Sequence, residues 1–149
     1  QVFTSTGAGL SQGFEAAAGG GLDHIFSVVL SSGQSLSAST VTKITWDSEE
    51  IDTDNAFASN KFTVPSGADG KYFFYTFAVF QAVDARIQKI WIYKNNASVK
   101  GTQHYTDVGE YDDLYDLQCS AVLDLSADDY IEVLLQLLKE QNQVFMDLN

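Results

Sequence analysis

The chain has 149 residues, a net charge of −12 and only eight basic residues, so no stripe of Lys and Arg is available to neutralise nucleic-acid phosphates. The same charge disfavours docking on an anionic membrane, and no apolar run approaches the roughly 18 residues of a membrane-spanning helix. The length suits one domain that buries about 70% of its unfolded surface, and the single Cys119 excludes an internal disulfide.

The first 21 residues are small, rich in Gly, Ala and Ser, and nearly uncharged. This composition is typical of a linker, so we predict a neck over residues 1–21 and a folded head domain over residues 22–149. The head begins with two predicted strands, Ile25–Leu30 and Val41–Trp46. An acidic segment over residues 47–54 follows them and is predicted to be a loop.

The central stretch is a predicted strand from Lys71 to Phe80, which follows a turn region containing Pro65, Gly67 and Gly70. Both of its faces are aromatic: Tyr72, Phe74, Ala78 and Phe80 alternate with Phe73, Tyr75, Phe77 and Val79. An opposing sheet covers only one face. Because the chain shows few helical stretches, we expect another copy of the molecule to cover the second face.

Further strands are predicted at Arg86–Lys94 and Leu117–Leu125. Asn95-Asn96 tolerates the left-handed conformations of a tight hairpin, whose second strand is expected at Val99–Tyr105. Residues 109–116 are polar and acidic and are predicted to be a loop. Short strands separated by turn signals at this spacing indicate a sandwich or barrel.

Residues 128–141 fit two structures. The apolar residues recur at helical spacing, with acids at the front and Lys139 at the back, which favours an amphipathic helix. The strand alternative places Ile131, Val133, Leu135 and Leu137 on one face.

Four short motifs occur in a fixed order along the chain. They are Asp54 or Asn55 followed by Phe57; Phe62, then Gly70, Tyr72 and Phe74; Ile90 to Asn95, reading IWIYKN; and Leu123, Leu125, Asp129, Ile131 and Val133. In this order and spacing they resemble the C1q-like branch of the C1q and tumour necrosis factor superfamily. The match covers about residues 25–138, and the FTVPSG…GKY form resembles versions found in bacteriophage and other viral fibre heads.

The resemblance implies an all-β, antiparallel jelly-roll sandwich that forms a homotrimer, with residues 128–138 as a strand. It implies a trimer core built from the central strand, for which the candidates are Tyr72, Phe74, Phe77 and Phe80. Two departures stand out: Asp128 occupies a position where the family prefers Gly, and the usual closing strand is missing unless Val144–Leu148 supplies it.

Loops displayed by such a trimer are the expected binding elements. The receptor-binding candidates are Asp52, Asp54, Tyr111 and Tyr115, since tyrosine combines apolar area with a polar tip. The acidic groups also match the oxygen ligands of calcium, with Asp112, Asp113 and Asp116 as the metal candidates. No other cofactor is expected.

The resemblance implies a non-enzymatic head domain on a virion surface that binds a host-surface glycan or protein, with the neck contacting other virion proteins. The alternative is a secreted C1q-like adhesive or recognition protein of a cellular organism, in which the sequon Asn96-Ala97-Ser98 would carry a glycan. No nucleotide-binding or hydrolase motif occurs in the sequence.

Overall fold

A computed structural model describes residues 24–81, 87–107 and 114–138. All regular structure in these residues is β-strand, so the all-β prediction is confirmed at this level. Within the same ranges, no helix is long and apolar enough to cross a membrane. The neck predicted over residues 1–21 and the closing strand considered at Val144–Leu148 lie outside the described residues.

The strands are β1 (Phe26–Val29), β2 (Val41–Lys43), β3 (Ser48–Asp52), β4 (Phe57–Ala58), β5 (Lys61–Thr63), β6 (Gly70–Gln81), β7 (Ile87–Lys94), β8 (Ala97–Ser98), β9 (His104–Asp107), β10 (Leu114–Leu125) and β11 (Tyr130–Leu138). Their pairings are antiparallel and form three sheets.

The largest sheet is built around β11. One edge of β11 pairs with β7, and its other edge pairs with β5 and β2. The hydrogen-bonding partners on both edges explain why a segment with helical periodicity is extended, because tertiary context overrides a local pattern. The helix prediction for residues 128–141 is therefore wrong over Tyr130–Leu138, and the strand alternative is confirmed.

The second sheet consists of β6 and β10, which pair over twelve residues from Leu114 opposite Gln81 to Leu125 opposite Gly70. Directly opposed residues of an antiparallel pair share a face. The residues of β10 at every second position from Leu117 to Leu125 face the core together with Phe74 and Phe80 of β6. A third, two-stranded sheet joins β1 to β3.

The core lies between the β6–β10 pair and the large sheet, as in a sandwich. Phe62 of β5 is at the centre of an aromatic group. Its ring centroid lies 4.7 Å from that of Phe26, 5.8 Å from that of Phe74 and 5.5 Å from that of Tyr72. These contacts tie β1, β5 and β6 together and explain why the stretch from Phe62 to Phe80 organises the fold.

Strand pairing is nested along the sequence. The pairs are β5 with β11, β6 with β10 and β7 with β9, so each pair lies within the preceding one. A long antiparallel ribbon that is folded over itself produces this pattern. The outermost and innermost pairs belong to the large sheet, and the β6–β10 pair between them forms the second sheet.

Three local predictions need correction. Residues 47–54 are not wholly a loop, because Ser48–Asp52 pair with β1 as an edge strand, where exposed acids are tolerated. Residues 109–116 are not wholly a loop either, since Leu114, Tyr115 and Asp116 belong to β10. The turn at Asn95-Asn96 is confirmed, with φ of 51° and 64°. The second strand predicted at Val99–Tyr105 needs correction, because β7 pairs with two separate short strands, Ala97–Ser98 and His104–Asp107.

The turn between β10 and β11 is fixed by Asp129. Its carboxylate accepts hydrogen bonds from Lys94 Nζ at 2.7 Å, Asn95 Nδ2 at 2.6 Å and the Ser126 backbone N–H at 2.9 Å. The bond from Lys94, followed by those from Ser126 and Asn95, lowers the pKa of Asp129 to about 2. The preceding Asp128 has φ of 71°, a conformation that Gly adopts at least cost, which accounts for the preference for Gly at this position in the resembled family.

We expect Asp129→Asn to lower the thermal unfolding midpoint near neutral pH. The folded-state pKa of about 2 lies below the ordinary value of 3.8, so the carboxylate stabilises the fold above the ordinary value and loses that effect as the pH falls through about 2. The difference between the variant and the wild type should therefore shrink as the pH is lowered over this range. Thermal melts of the variant and the wild type at a series of pH values measure this difference.

The matched control is Asp124→Asn. Asp124 also bonds a lysine, at 2.6 Å from Lys71 Nζ, but the two side chains are 73% and 71% exposed, and such a pair contributes little to stability. The control should melt like the wild type throughout. If Asp129→Asn lowers the unfolding midpoint by the same amount at every pH, the ionised carboxylate is not the source of the loss.

Candidate functional site

The outward face of the β6–β10 pair is apolar and uncovered. Four consecutive outward residues of β6 are large and exposed, with Phe73 at 69% and Phe77 at 59%. We call this surface the outer apolar face; it comprises Phe73, Tyr75, Phe77 and Val79 of β6 with Leu114 and Val122 of β10.

Polar groups on β10 complete this face. Gln118 and Ser120 lie opposite Phe77 and Tyr75, and Asp116 lies opposite Val79. The Tyr75 hydroxyl donates a hydrogen bond to Gln118 Oε1 at 2.9 Å, which holds the ring across the two strands. The face therefore has an aromatic row on β6 beside a mainly polar row on β10.

The size of the outer apolar face distinguishes it from the ordinary surface of a soluble protein. A fully buried aromatic side chain covers roughly 150–250 Å², and three aromatic residues lie together here with three aliphatic ones. Monomeric soluble proteins rarely expose contiguous apolar patches larger than a few hundred Å², and larger patches mark interaction sites. The outer apolar face is consequently the main candidate site of the described residues.

The four trimer-core candidates divide between the two faces of β6. Phe77 lies on the outer apolar face, whereas Phe74 and Phe80 are buried in the core of the chain itself. Tyr72 is half-buried on the same inner face, and its hydroxyl donates to the Ala68 carbonyl oxygen at 2.5 Å. Three of the candidates are thus covered by their own chain, and the exposed residues of β6 are their neighbours in sequence.

Sequence reasoning left Phe73, Tyr75 and Val79 out of the candidate list, although it recognised that they share a face. Three of the candidates were instead taken from the face that carries Phe74 and Phe80, which the structure places towards the core. A signal was present in β10, where Leu117, Cys119 and Leu125 alternate with polar residues. Once the register with β6 is known, this alternation identifies the outward face.

Two receptor-binding candidates have structural roles. The Asp52 carboxylate accepts hydrogen bonds from the backbone N–H groups of Asp54, Ala56 and Phe57, at 3.3, 3.0 and 2.8 Å, and so closes the turn before β4. The Asp54 carboxylate lies 2.8 Å from His24 Nδ1. Both carboxylates are already engaged within the chain.

The remaining receptor-binding and metal candidates are not brought together among the described residues. Tyr111, Asp112 and Asp113 lie outside the described residues. Tyr115 is half-buried on the inner face of β10 opposite Phe80, whereas Asp116 is exposed on the outer face. Within residues 24–81, 87–107 and 114–138, no three His, Cys, Asp or Glu side chains are grouped as metal ligands would be.

The remaining reactive residue, Cys119, is buried on the inner face of β10. Burial raises the pKa of its thiol to about 11, so the thiolate is disfavoured and the side chain behaves as a small hydrophobe.

Comparison with protein-family models gave no match to the chain, and no curated protein matches it significantly. The resemblance to C1q-like proteins therefore rests on the four motifs quoted above.

We expect Asp52→Ala to lower the free energy of unfolding by roughly 1–3 kcal/mol, because three backbone donors lose their acceptor. Urea denaturation measures the change. The matched control is Glu49→Ala, which removes an exposed acid from the same strand and should change stability by less than about 0.5 kcal/mol. Equal, negligible effects of the two substitutions would mean that the Asp52 carboxylate does not hold the turn.

Proposed function

We propose that the chain is a non-enzymatic head domain of the C1q and tumour necrosis factor jelly-roll type, which forms a homotrimer and attaches a virion or phage fibre to a host surface. The observation that carries the proposal is the outer apolar face, which one chain leaves exposed to water.

Strand connectivity supports the jelly-roll part. Jelly rolls are double-sheet sandwiches built from two Greek keys. The nested pairing of β5 with β11, β6 with β10 and β7 with β9 is the pattern that a rolled ribbon generates. In addition, β11 returns to pair with β7 after β9 and β10, as the fourth strand of a Greek key returns to lie beside the first.

The distribution of charge supports a partner that is another copy of the same chain. A protein with a net charge of −12 repels its own copies unless the contact surface is nearly uncharged. On the outward side of the β6–β10 pair, the described charged residues are Asp116 and, at the end beside Phe73, the exposed pair Lys71 and Asp124. The aromatic row from Phe73 to Val79 itself carries no charge, and the threefold arrangement follows from the resemblance.

The attachment role follows from the trimer. A rigid closed assembly presents three copies of each loop at one end, so a weak site for a glycan or protein gains avidity. The likeness of the FTVPSG…GKY segment to viral fibre heads favours a virion surface. The neck over residues 1–21 would then connect the head to other virion proteins.

We expect native mass spectrometry and sedimentation at micromolar concentration to show a trimer. Phe77→Asp places a charge in the middle of the outer apolar face and should raise the dissociation constant at least about 30-fold, the effect of losing a contact worth about 2 kcal/mol. A wild-type monomer at this concentration would refute the proposal.

Tyr105→Asp is the matched control. Tyr105 is also an aromatic residue of a strand and is 62% exposed, but it belongs to β9 of the other sheet. The control should remain trimeric. If the two variants dissociate equally, the outer apolar face is not the specific contact.

Binding to an array of cell-surface glycans and to host cells tests the attachment role. The wild type should bind measurably, and the dissociated Phe77→Asp variant should bind at least about 100-fold more weakly through loss of avidity. Equal binding by the two proteins would argue against multivalent attachment.

The secreted C1q-like alternative is favoured by one observation. Asn96 of the sequon lies exposed at the tip of the β7–β8 hairpin, where a glycan has room. A glycan on Asn96 in protein isolated from its natural source would favour this alternative over the virion role.

A further inference from the structure

We infer that the outward side of the large sheet binds an acidic saccharide, with Lys89 holding a sugar carboxylate between Tyr105 and Gln136. Successive side chains of a strand point to opposite sides of the sheet. In β7, Ile90 and Ile92 are buried in the core, so Lys89 points outward. Because the core lies between the two sheets, this surface is on the side of the sandwich away from the outer apolar face.

Tyr105, Lys89 and Gln136 form one row across three strands, which we call the binding row. Lys89 of β7 is opposite Tyr105 of β9 on one edge and opposite Gln136 of β11 on the other. Directly opposed residues share a face, with Cβ atoms about 4.5–5.5 Å apart, so the row spans roughly 10 Å. An aromatic ring, a cation and a primary amide are therefore neighbours on one surface.

The side chains of the binding row are not used by the rest of the described structure. Tyr105 is 62% exposed. Lys89 and Gln136 are half-buried, and within residues 24–81, 87–107 and 114–138 neither side chain has a hydrogen-bonding or ionic partner. Lys71 and Lys94, in contrast, each bond to an aspartate, at 2.6 and 2.7 Å. A partly buried ammonium without a counter-ion is free to bind an external anion.

Positive charge is concentrated on this side of the sheet, although the chain is strongly acidic. Of the six lysines in the described residues, three point outward from the strands of the large sheet: Lys43, Lys61 and Lys89. Only two of the twelve described acids do so, Asp107 and Glu132, and Glu132 is itself 3.7 Å from Lys43 Nζ. The Debye length is about 8 Å at physiological ionic strength, so acids on other surfaces are largely screened. A carboxylate that approaches this side therefore meets a local excess of positive charge.

The binding row stands on a packed base. Trp91 lies two residues from Lys89 on the same side of β7, is 5% exposed, and has its ring centroid 5.9 Å from that of Tyr93. The row itself is carried by paired strands rather than by loops. Groups held on such elements lose little freedom when a ligand binds, which favours binding of a small ligand.

The composition of this side favours a saccharide over a protein or a nucleic acid. Stable protein interfaces need an apolar centre and about 800 Å² from each partner, whereas the large hydrophobic side chains exposed on the described part of this side are Val41 and Tyr105. A densely charged nucleic acid is repelled by the net charge of −12, and a saccharide with isolated carboxylates is repelled less. The tyrosine ring can cover the C–H side of a sugar, while the ammonium and the amide bond its carboxylate and hydroxyl groups.

An array of acidic oligosaccharides tests the ligand class. Sialylated and uronic-acid oligosaccharides are printed beside their carboxyl methyl esters, which lack the charge, and members that bind are measured in solution by calorimetry. The wild type should bind at least one acid, and at least about 10-fold more tightly than its ester, the effect of losing one charge-assisted hydrogen bond. Binding to no acid, or equal binding to acid and ester, would overturn the inference.

Two variants that remove the same charge locate the site. Lys89→Gln should weaken binding of the acid at least about 10-fold and leave binding of the ester unchanged. Lys71→Gln, on the other sheet, should bind like the wild type. Equal losses in the two variants would show that net charge alone is responsible and would overturn the site. Displacement of the saccharide by polyglutamate at equal carboxylate concentration would make the ligand an acidic protein segment and overturn the saccharide.

The binding row lies within one chain, and only its use in host attachment rests on the proposed function. The Phe77→Asp variant should therefore bind a soluble acidic oligosaccharide with wild-type affinity per chain. Tyr105→Asp should remain trimeric but bind at least about 30-fold more weakly, because it loses the ring and adds a negative charge. A monomeric wild type that binds through Lys89 would refute the trimer and support the site, whereas a trimer without binding would do the reverse.

Discussion

The division of β6 into a covered and an uncovered face is the constraint on which the rest of the structure depends. On the covered face, Phe74 packs against Phe62 and Phe26, and these contacts join the two sheets. On the other face, Phe73 and Phe77 remain exposed. Burying one such side chain stabilises by roughly 1.5–3 kcal/mol, whereas a domain has a net stability of about 5–15 kcal/mol. The exposed face therefore leaves unused a burial free energy that is a substantial fraction of such a net stability.

Much of the fold was predictable because several strands carry their own signals. β6, β7 and the inward residues of β10 follow from aromatic and β-branched composition and from alternation. β11 was not predictable from its own residues, since Val133 and Leu137 fit both the helical and the strand period. The deciding factor is the presence of β7 and β5 on either side, which local sequence does not contain.

The candidate site was only partly predictable. The sequence shows that β6 has two apolar faces, but the choice between them depends on which face meets Phe62. Thr76 misleads here, because a polar residue normally marks the wetter face and this one is buried without a partner. Acidic residues mislead in another way: Asp52 and Asp129 have the composition of a binding loop but use their oxygens to close backbone turns.

Within residues 24–81, 87–107 and 114–138, one edge of β6 pairs with β10 and the other edge pairs with no strand, so β6 offers an edge as well as the outer apolar face. Edge-to-edge pairing of strands has no natural end and leads to open aggregates, whereas contact between faces around a rotation axis closes on itself. A chain that offered both surfaces at once would join in both ways. A closed oligomer formed through Phe73 and Phe77 therefore requires the neighbouring edge of β6 to be prevented from pairing with other copies.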